Sequence, residues 1–124
     1  MVPTLYLRLF CDRLQVRHLQ QQRDLELFAS QPFSHPRLLV GDFGNAERAL
    51  KEAIDTVLPR RFLRLAPRLL IQPMERLEGG LTALEQRVLL ELGHGCGART
   101  VRIHVGPLLD DASVERLLRA PPCA

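Results

Sequence analysis

Two kinds of side chain in this sequence could do chemistry. The stretch Gly93-His94-Gly95-Cys96-Gly97 sets an imidazole and a thiol two residues apart, and His104 and Cys11 could join them as further soft-metal donors. The spacing matches no standard zinc pattern, and a glycine-rich loop closing a helix accounts for the same letters. As a dinucleotide fingerprint it stands in the wrong context, following a helix and entering a strand. His18, His35 and His104 have no nucleophile and carboxylate placed to make a relay. No catalytic, cofactor-binding or metal-ligating residue is assigned, and no cofactor is expected.

The second kind is basic. Arg60-Arg61-Phe62-Leu63-Arg64-Leu65-Ala66-Pro67-Arg68 is the densest cationic run and could meet a phosphate backbone electrostatically. The net charge of +3 points the same way, but sixteen of the seventeen basic residues are Arg and only Lys51 is Lys. Such a skew reflects a GC-rich genome more readily than a surface built for phosphate. With few aromatics in the run to stack on bases, nucleic-acid binding stays a minor alternative.

The elements that must position these residues form one domain over residues 1–124, long enough to bury roughly two-thirds of its unfolded surface. Hydrophobic residues at 46% and charged residues at 25% place the chain among globular proteins. No apolar run reaches the ~20 residues of a membrane span. Arg8 and Asp12 interrupt the first apolar run, so no signal peptide is read. Cys11, Cys96 and Cys123 are odd in number and scattered, as free thiols in a reducing compartment would be. The cytoplasm is the expected location.

Thr4 to Cys11 alternates with period two, Asp12-Arg13 makes a tight turn, and Leu14 to Leu19 alternates again. After a polar turn, Leu25-Glu26-Leu27-Phe28-Ala29 completes an antiparallel meander. The period then changes to that of a helix carrying Phe43, Ala46, Leu50, Ala53, Ile54, Val57 and Leu58, capped by Asp42 or Asn45 and stopped at Pro59. Leu69-Leu70-Ile71 reads as a central strand buried on both faces. Thr82-Ala83-Leu84-Glu85 is a capping box, and Leu84, Val88, Leu89 and Leu92 are expected to form the buried stripe of its helix. Gly93, Gly95 and Gly97 are expected to end that helix in left-handed geometry. Thr100 to Val105 is a further strand, and Asp110 or Asp111 opens a last helix with Val114, Leu117 and Leu118. The order β-β-β-α-β-α-β-α implies an α/β fold with a mixed sheet.

That order is the one found in the ribonuclease H-like fold, including the first lobe of actin-like ATPases. Four segments carry the likeness further. They are Val40-Gly41-Asp42-Phe43 into Glu47, Leu50 and Ile54; Pro67-Arg68-Leu69-Leu70-Ile71; Leu81-Thr82-Ala83-Leu84-Glu85-Gln86-Arg87; and Gly97-Ala98-Arg99-Thr100-Val101. Over residues 37 to 105 they resemble the bacterial cell-shape family MreB. Nearly end to end, the chain resembles the YjaA family of stand-alone bacterial stress-response proteins. This likeness rests on the meander, Arg37-Leu38-Leu39-Val40, the Ala46-Glu47 helix, and Glu78-Gly79-Gly80-Leu81 leading to Glu85.

The actin-like resemblance implies a glycine-rich phosphate turn between the first two strands. Here that stretch is Leu7-Arg8-Leu9-Phe10-Cys11-Asp12-Arg13-Leu14, with no glycine and bulky side chains. Glu85 matches a glutamate that positions water in MreB, yet one carboxylate cannot supply phosphoryl transfer. Nucleases of the fold gather carboxylates around two metals; Asp24, Glu26 and Asp42 read more simply as turn, edge and cap residues. The expected function is therefore a non-enzymatic protein-interaction module related to the first lobe of MreB, with nucleotide binding lost. It would serve in stress response or cell-shape regulation, through self-association or a protein partner such as an MreB-type filament. An unpaired sheet edge near Leu25–Phe28, or an exposed apolar helix face, is the expected contact. A degenerate nucleotide-binding domain and a weak nucleic-acid binder are the alternatives.

Overall fold

The structure is a computed structural model that describes residues 2–34, 38–58 and 65–119. Five strands and three helices follow one another as β1 (Thr4–Phe10), β2 (Arg13–His18), β3 (Arg23–Phe28), α1 (Phe43–Val57), β4 (Arg68–Pro73), α2 (Ala83–Gly95), β5 (Thr100–Ile103) and α3 (Asp111–Arg119). The strands form one mixed sheet in the order β3-β2-β1-β4-β5. The meander is antiparallel, with Leu7 opposite Val16 and Val16 opposite Leu25. β1, β4 and β5 run parallel, with Leu7 beside Ile71 and Ile71 beside Ile103.

Strand alternation sorts the side chains onto two faces. Leu5, Leu7, Leu9, Leu14, Val16, Leu69, Ile71 and Val101 meet Ala46, Leu50, Ala53 and Ile54 of α1 and Leu89 and Leu92 of α2 in one dry core. Each fully buried Leu or Ile there contributes roughly 1.5–3 kcal/mol. Among the described residues the opposite face is covered by α3 and the segment before it: Val114 and Leu118 pack on Tyr6, Leu19 and Leu70, with Leu109 and Leu117 beside them.

Local chemistry sets most element ends. Asp42 caps α1 by accepting the Asn45 N–H at 2.9 Å, so of the two candidate caps Asp42 serves. α1 ends at Val57 with Leu58 as its C-cap; Pro59 lies outside the described residues. The capping box of α2 forms fully: Thr82 Oγ1 accepts from Glu85 N, and Glu85 Oε1 accepts from Thr82 N, both at 3.1 Å.

Three expectations about the second half change. Leu84 is not in the buried stripe but is 72% exposed, because the buried face of α2 follows Leu89, Leu92, Gly93 and Cys96, which turns Leu84 to its side. Gly93 lies inside α2 and Gly95 is its last residue, neither with positive φ; of the three only Gly97, beyond the helix, takes it, at 94°. A Cβ on Gly93 would stand 2.7 Å from a Val101 methyl, so the missing side chain is what lets the helix backbone approach the sheet. β4 is longer than its apolar run, extending through Gln72 to Pro73, and β5 shorter than expected, ending at Ile103.

Candidate functional site

In open α/β sheets, ligands gather outside the carboxyl ends of the parallel strands. Here that region holds the β1–β2 turn, Cys11-Asp12, next to Met74-Glu75 at the exit of β4, where the Met74 N–H donates to Leu9 O at 2.8 Å. Asp12 carries the turn with φ of 56°, a conformation Asp tolerates better than most residues.

Both amides of the turn, the Asp12 carbonyl and one Asp12 carboxylate oxygen are engaged. The Cys11 N–H donates to the Glu75 carboxylate, and the Asp12 N–H donates to Ser34 Oγ at 3.1 Å. Asp12 Oδ1 accepts from Phe33 N at 2.8 Å and Ser34 N at 2.7 Å, and Ser34 Oγ donates to Leu39 O. The Asp12 carbonyl accepts from Ala29 N at 3.0 Å. Two carboxylates thus occupy N–H groups of the kind that a phosphate would need. The Cys11 N–H, by its hydrogen bond, holds Glu75 below the usual carboxylate range. Burial, reinforced by Glu75, pushes the Cys11 thiol up, away from the thiolate that would make it a nucleophile.

The other candidate donors are separate. Cys96 is the C-cap of α2, buried, with its thiol pushed up to about 12, chiefly by desolvation and then by Glu47. His94 Nδ1 lies 3.4 Å from Ala98 O, and His104 Nε2 lies 3.0 Å from Pro107 O. His18 is buried and accepts the Gln21 N–H at Nδ1. Among the described residues no three His, Cys, Asp or Glu side chains gather as a metal site. Asp24 and Glu26 sit on β3 and Asp42 caps α1, so the three acids serve as edge and cap residues. Glu85 is engaged with Thr82 in the capping box. Arg60, Arg61, Arg64, His35 and Cys123 lie outside the described residues.

What remains open is the sheet edge. β3 is one of the two outermost strands, β5 being the other; Phe28 at its end is 68% exposed, and Arg23, Asp24 and Glu26 face solvent. Beside it, the Arg13 guanidinium stacks 4.0 Å over the Phe10 ring. A second apolar surface, a pocket of about 90 Å³, lies between Leu38, Leu39, Pro73, Leu81, Leu84 and Val88. The edge was legible from period-two alternation. The roles of Glu75 and Ser34 were not, because their partners on the turn lie 64 and 22 residues away in the chain.

Fold and site together define a mixed α/β protein with a sealed strand turn and an open meander edge. No protein-family profile matches the chain. The Escherichia coli K12 protein YjaA, described as uncharacterized, is 31% identical over 128 residues, an alignment covering 95% of this chain and 98% of that protein. The chain belongs to the YjaA family of bacterial proteins.

Proposed function

We propose that this protein is a non-enzymatic interaction module that binds another protein through the β3 edge. The observation that carries this reading is Phe28, a large aromatic left 68% exposed at the end of an outermost strand. We take the scaffold to be related to the first lobe of actin-like ATPases, which the element order and the MreB-like segments support. In this reading the phosphate cradle is closed: Asp12 and Glu75 bring negative charge to the N–H groups where an ancestor would have held phosphate. An MreB-type filament in the bacterial cytoplasm is the partner class that the resemblance suggests, in stress response or cell-shape control. Free thiols at Cys11 and Cys96 suit that compartment, and no helix among the described residues is long and apolar enough to cross a membrane.

The test is affinity capture of the tagged full chain from its native cell, beside a Phe28→Asp variant shown by circular dichroism to be folded. A stoichiometric partner retained by the parent and lost by the variant is expected. Capture of nothing, with light scattering showing an inert monomer, removes the reading. A saturable rise in Tm with magnesium and ATP would restore the nucleotide alternative. Salt-sensitive nucleic-acid binding lost on neutralising Arg60, Arg61 and Arg64 would restore the other.

A further inference from the structure

β3 presents a definite chemical pattern to whatever lies beyond it. Leu25 and Leu27 turn to the helix-covered face, packing on the main core, while Asp24, Glu26 and Phe28 turn to the other. On that second face β2 sets Arg17 opposite Asp24, Gln15 opposite Glu26, and Arg13 opposite Phe28. Asp24 Oδ2 accepts from Arg17 at 2.9 Å, and Glu26 Oε2 accepts from Gln15 at 2.8 Å and Arg13 at 3.2 Å. Each carboxylate is therefore tied inward through one oxygen. Asp24 Oδ1 and Glu26 Oε1 have no hydrogen bond among the described residues, and the two side chains stay 59% and 42% exposed. Cations stand on β2 and anions on β3, so the next strand position calls for cations again.

The same pattern disfavours a second copy. Side chains directly opposite in an antiparallel pair share a face, so a two-fold pairing of β3 with itself matches even positions with even. Centred on Leu25, the pairing sets Asp24 against Glu26 of the other copy; centred on Glu26, it sets that carboxylate against its own equivalent. Both registers that pair most of the strand oppose like charges.

We propose that β3 is the acceptor edge for an extended segment of a different protein whose side chains alternate basic and apolar, added antiparallel as a sixth strand. Backbone hydrogen bonds to the outer edge of β3 hold the segment. Its basic side chains, two residues apart, meet the outward carboxylate oxygens of Asp24 and Glu26. The aliphatic stem of one lies along Phe28, as Arg13 already lies over Phe10. Its apolar side chains continue the row begun by Leu25 and Leu27. This inference rests on the interaction reading above and names the partner's chemistry.

The probe is a capped eight-residue peptide of alternating arginine and valine. Its controls are alternating glutamate and valine, and a peptide of the first composition with all its arginines before its valines. Binding to the full chain is measured by fluorescence anisotropy at about 0.15 M salt, where long-range steering is screened. The alternating arginine peptide is expected to bind at least about ten-fold more tightly than either control, and to slow hydrogen exchange of the β3 amides. The double substitution Asp24→Lys with Glu26→Lys is expected to invert the preference toward the glutamate peptide. Should that variant fail to fold, Asp24→Asn with Glu26→Gln is expected to abolish the discrimination. Equal binding of the block-ordered peptide, or protection at the Leu84 pocket instead of β3, overturns the assignment. A native partner captured equally by parent and charge-altered chains overturns it too, while leaving the interaction reading standing. A chain that captures nothing in the cell yet binds the alternating peptide on β3 counts against the earlier reading alone.

Discussion

On one face of the sheet, Leu5, Leu7, Leu9, Leu69 and Ile71 meet α1 and α2, and no charged side chain joins them. On the other, the intervening residues of the same strands are Thr4, Tyr6, Arg8, Arg68, Leu70 and Gln72, and one short helix covers part of them. There Tyr6 and Leu70 pack on Val114 and Leu118, the Nε–H groups of Arg8, Arg68 and Arg102 have no partner among the described residues, and other buried groups are held by polar bonds. The Tyr6 hydroxyl donates to Gln72 Oε1 and accepts the Leu109 N–H, and Gln72 Nε2 donates to Gly106 O at 2.7 Å. Arg17 joins β2 to α3 through both oxygens of Asp111, and Arg68 reaches Glu115. One face is held by volume and is insensitive to exact partners. The other is held by specific donors and acceptors, and a single lost atom leaves a buried group unpaired.

Substitutions that separate the two mechanisms fall in order of size. Leu7→Ala, fully buried in the middle of β1, removes volume from the dry face and should cost about 3 kcal/mol in urea unfolding with m unchanged. Tyr6→Phe keeps the volume of its neighbour but strips the hydroxyl between Gln72 and Leu109. It should cost about 1–2 kcal/mol, and adding Gln72→Leu should recover part of the loss, which no volume argument predicts.

His18 is the buried titratable group at the margin of the leucine face, and burial holds its pKa below the ordinary 6.5. The fold accommodates the neutral ring, whose Nδ1 accepts from Gln21 N, so between the folded pKa and 6.5 the unfolded chain binds more protons. That stability is present above 6.5 and lost as the pH falls through this window. Tm should decline as the pH falls below about 6.5, and His18→Gln should flatten the decline. The smallest effect belongs to Phe28→Ser on the open edge, below about 0.5 kcal/mol, since the ring is already in water. A loss of 2 kcal/mol or so there would show that Phe28 serves the fold and not a partner.

Local signals carried far in this chain. Thr82 and Glu85 are three residues apart and answer each other alone, so their capping box was readable without knowing what α2 packs on. The meander was readable because Leu5 to Leu9 and Leu14 to His18 alternate in step with the pleat. Leu84 misled because helical spacing allows several overlapping stripes, and packing chose the one through Leu89, Leu92 and Gly93. Gln72, just past the apolar run Leu69-Leu70-Ile71, had no reading from sequence, yet it is 1% exposed inside the strand. The site divided in the same way. The exposed edge at Leu25–Phe28 was visible as an alternation, whereas the sealing of the β1–β2 turn was not.

Periodicity, caps and the absence of glycine between Phe10 and Arg13 are properties of neighbouring residues, and the chain alone determined the elements, their order and a turn without glycine. Which carboxylate would fill that turn, which face Gln72 could enter, and where Gly93 would let a helix touch Val101 depended on residues brought together from distant parts of the chain. Hydrogen bonds and steric fit act over a few ångströms of space regardless of sequence separation, so only the folded sheet decided them.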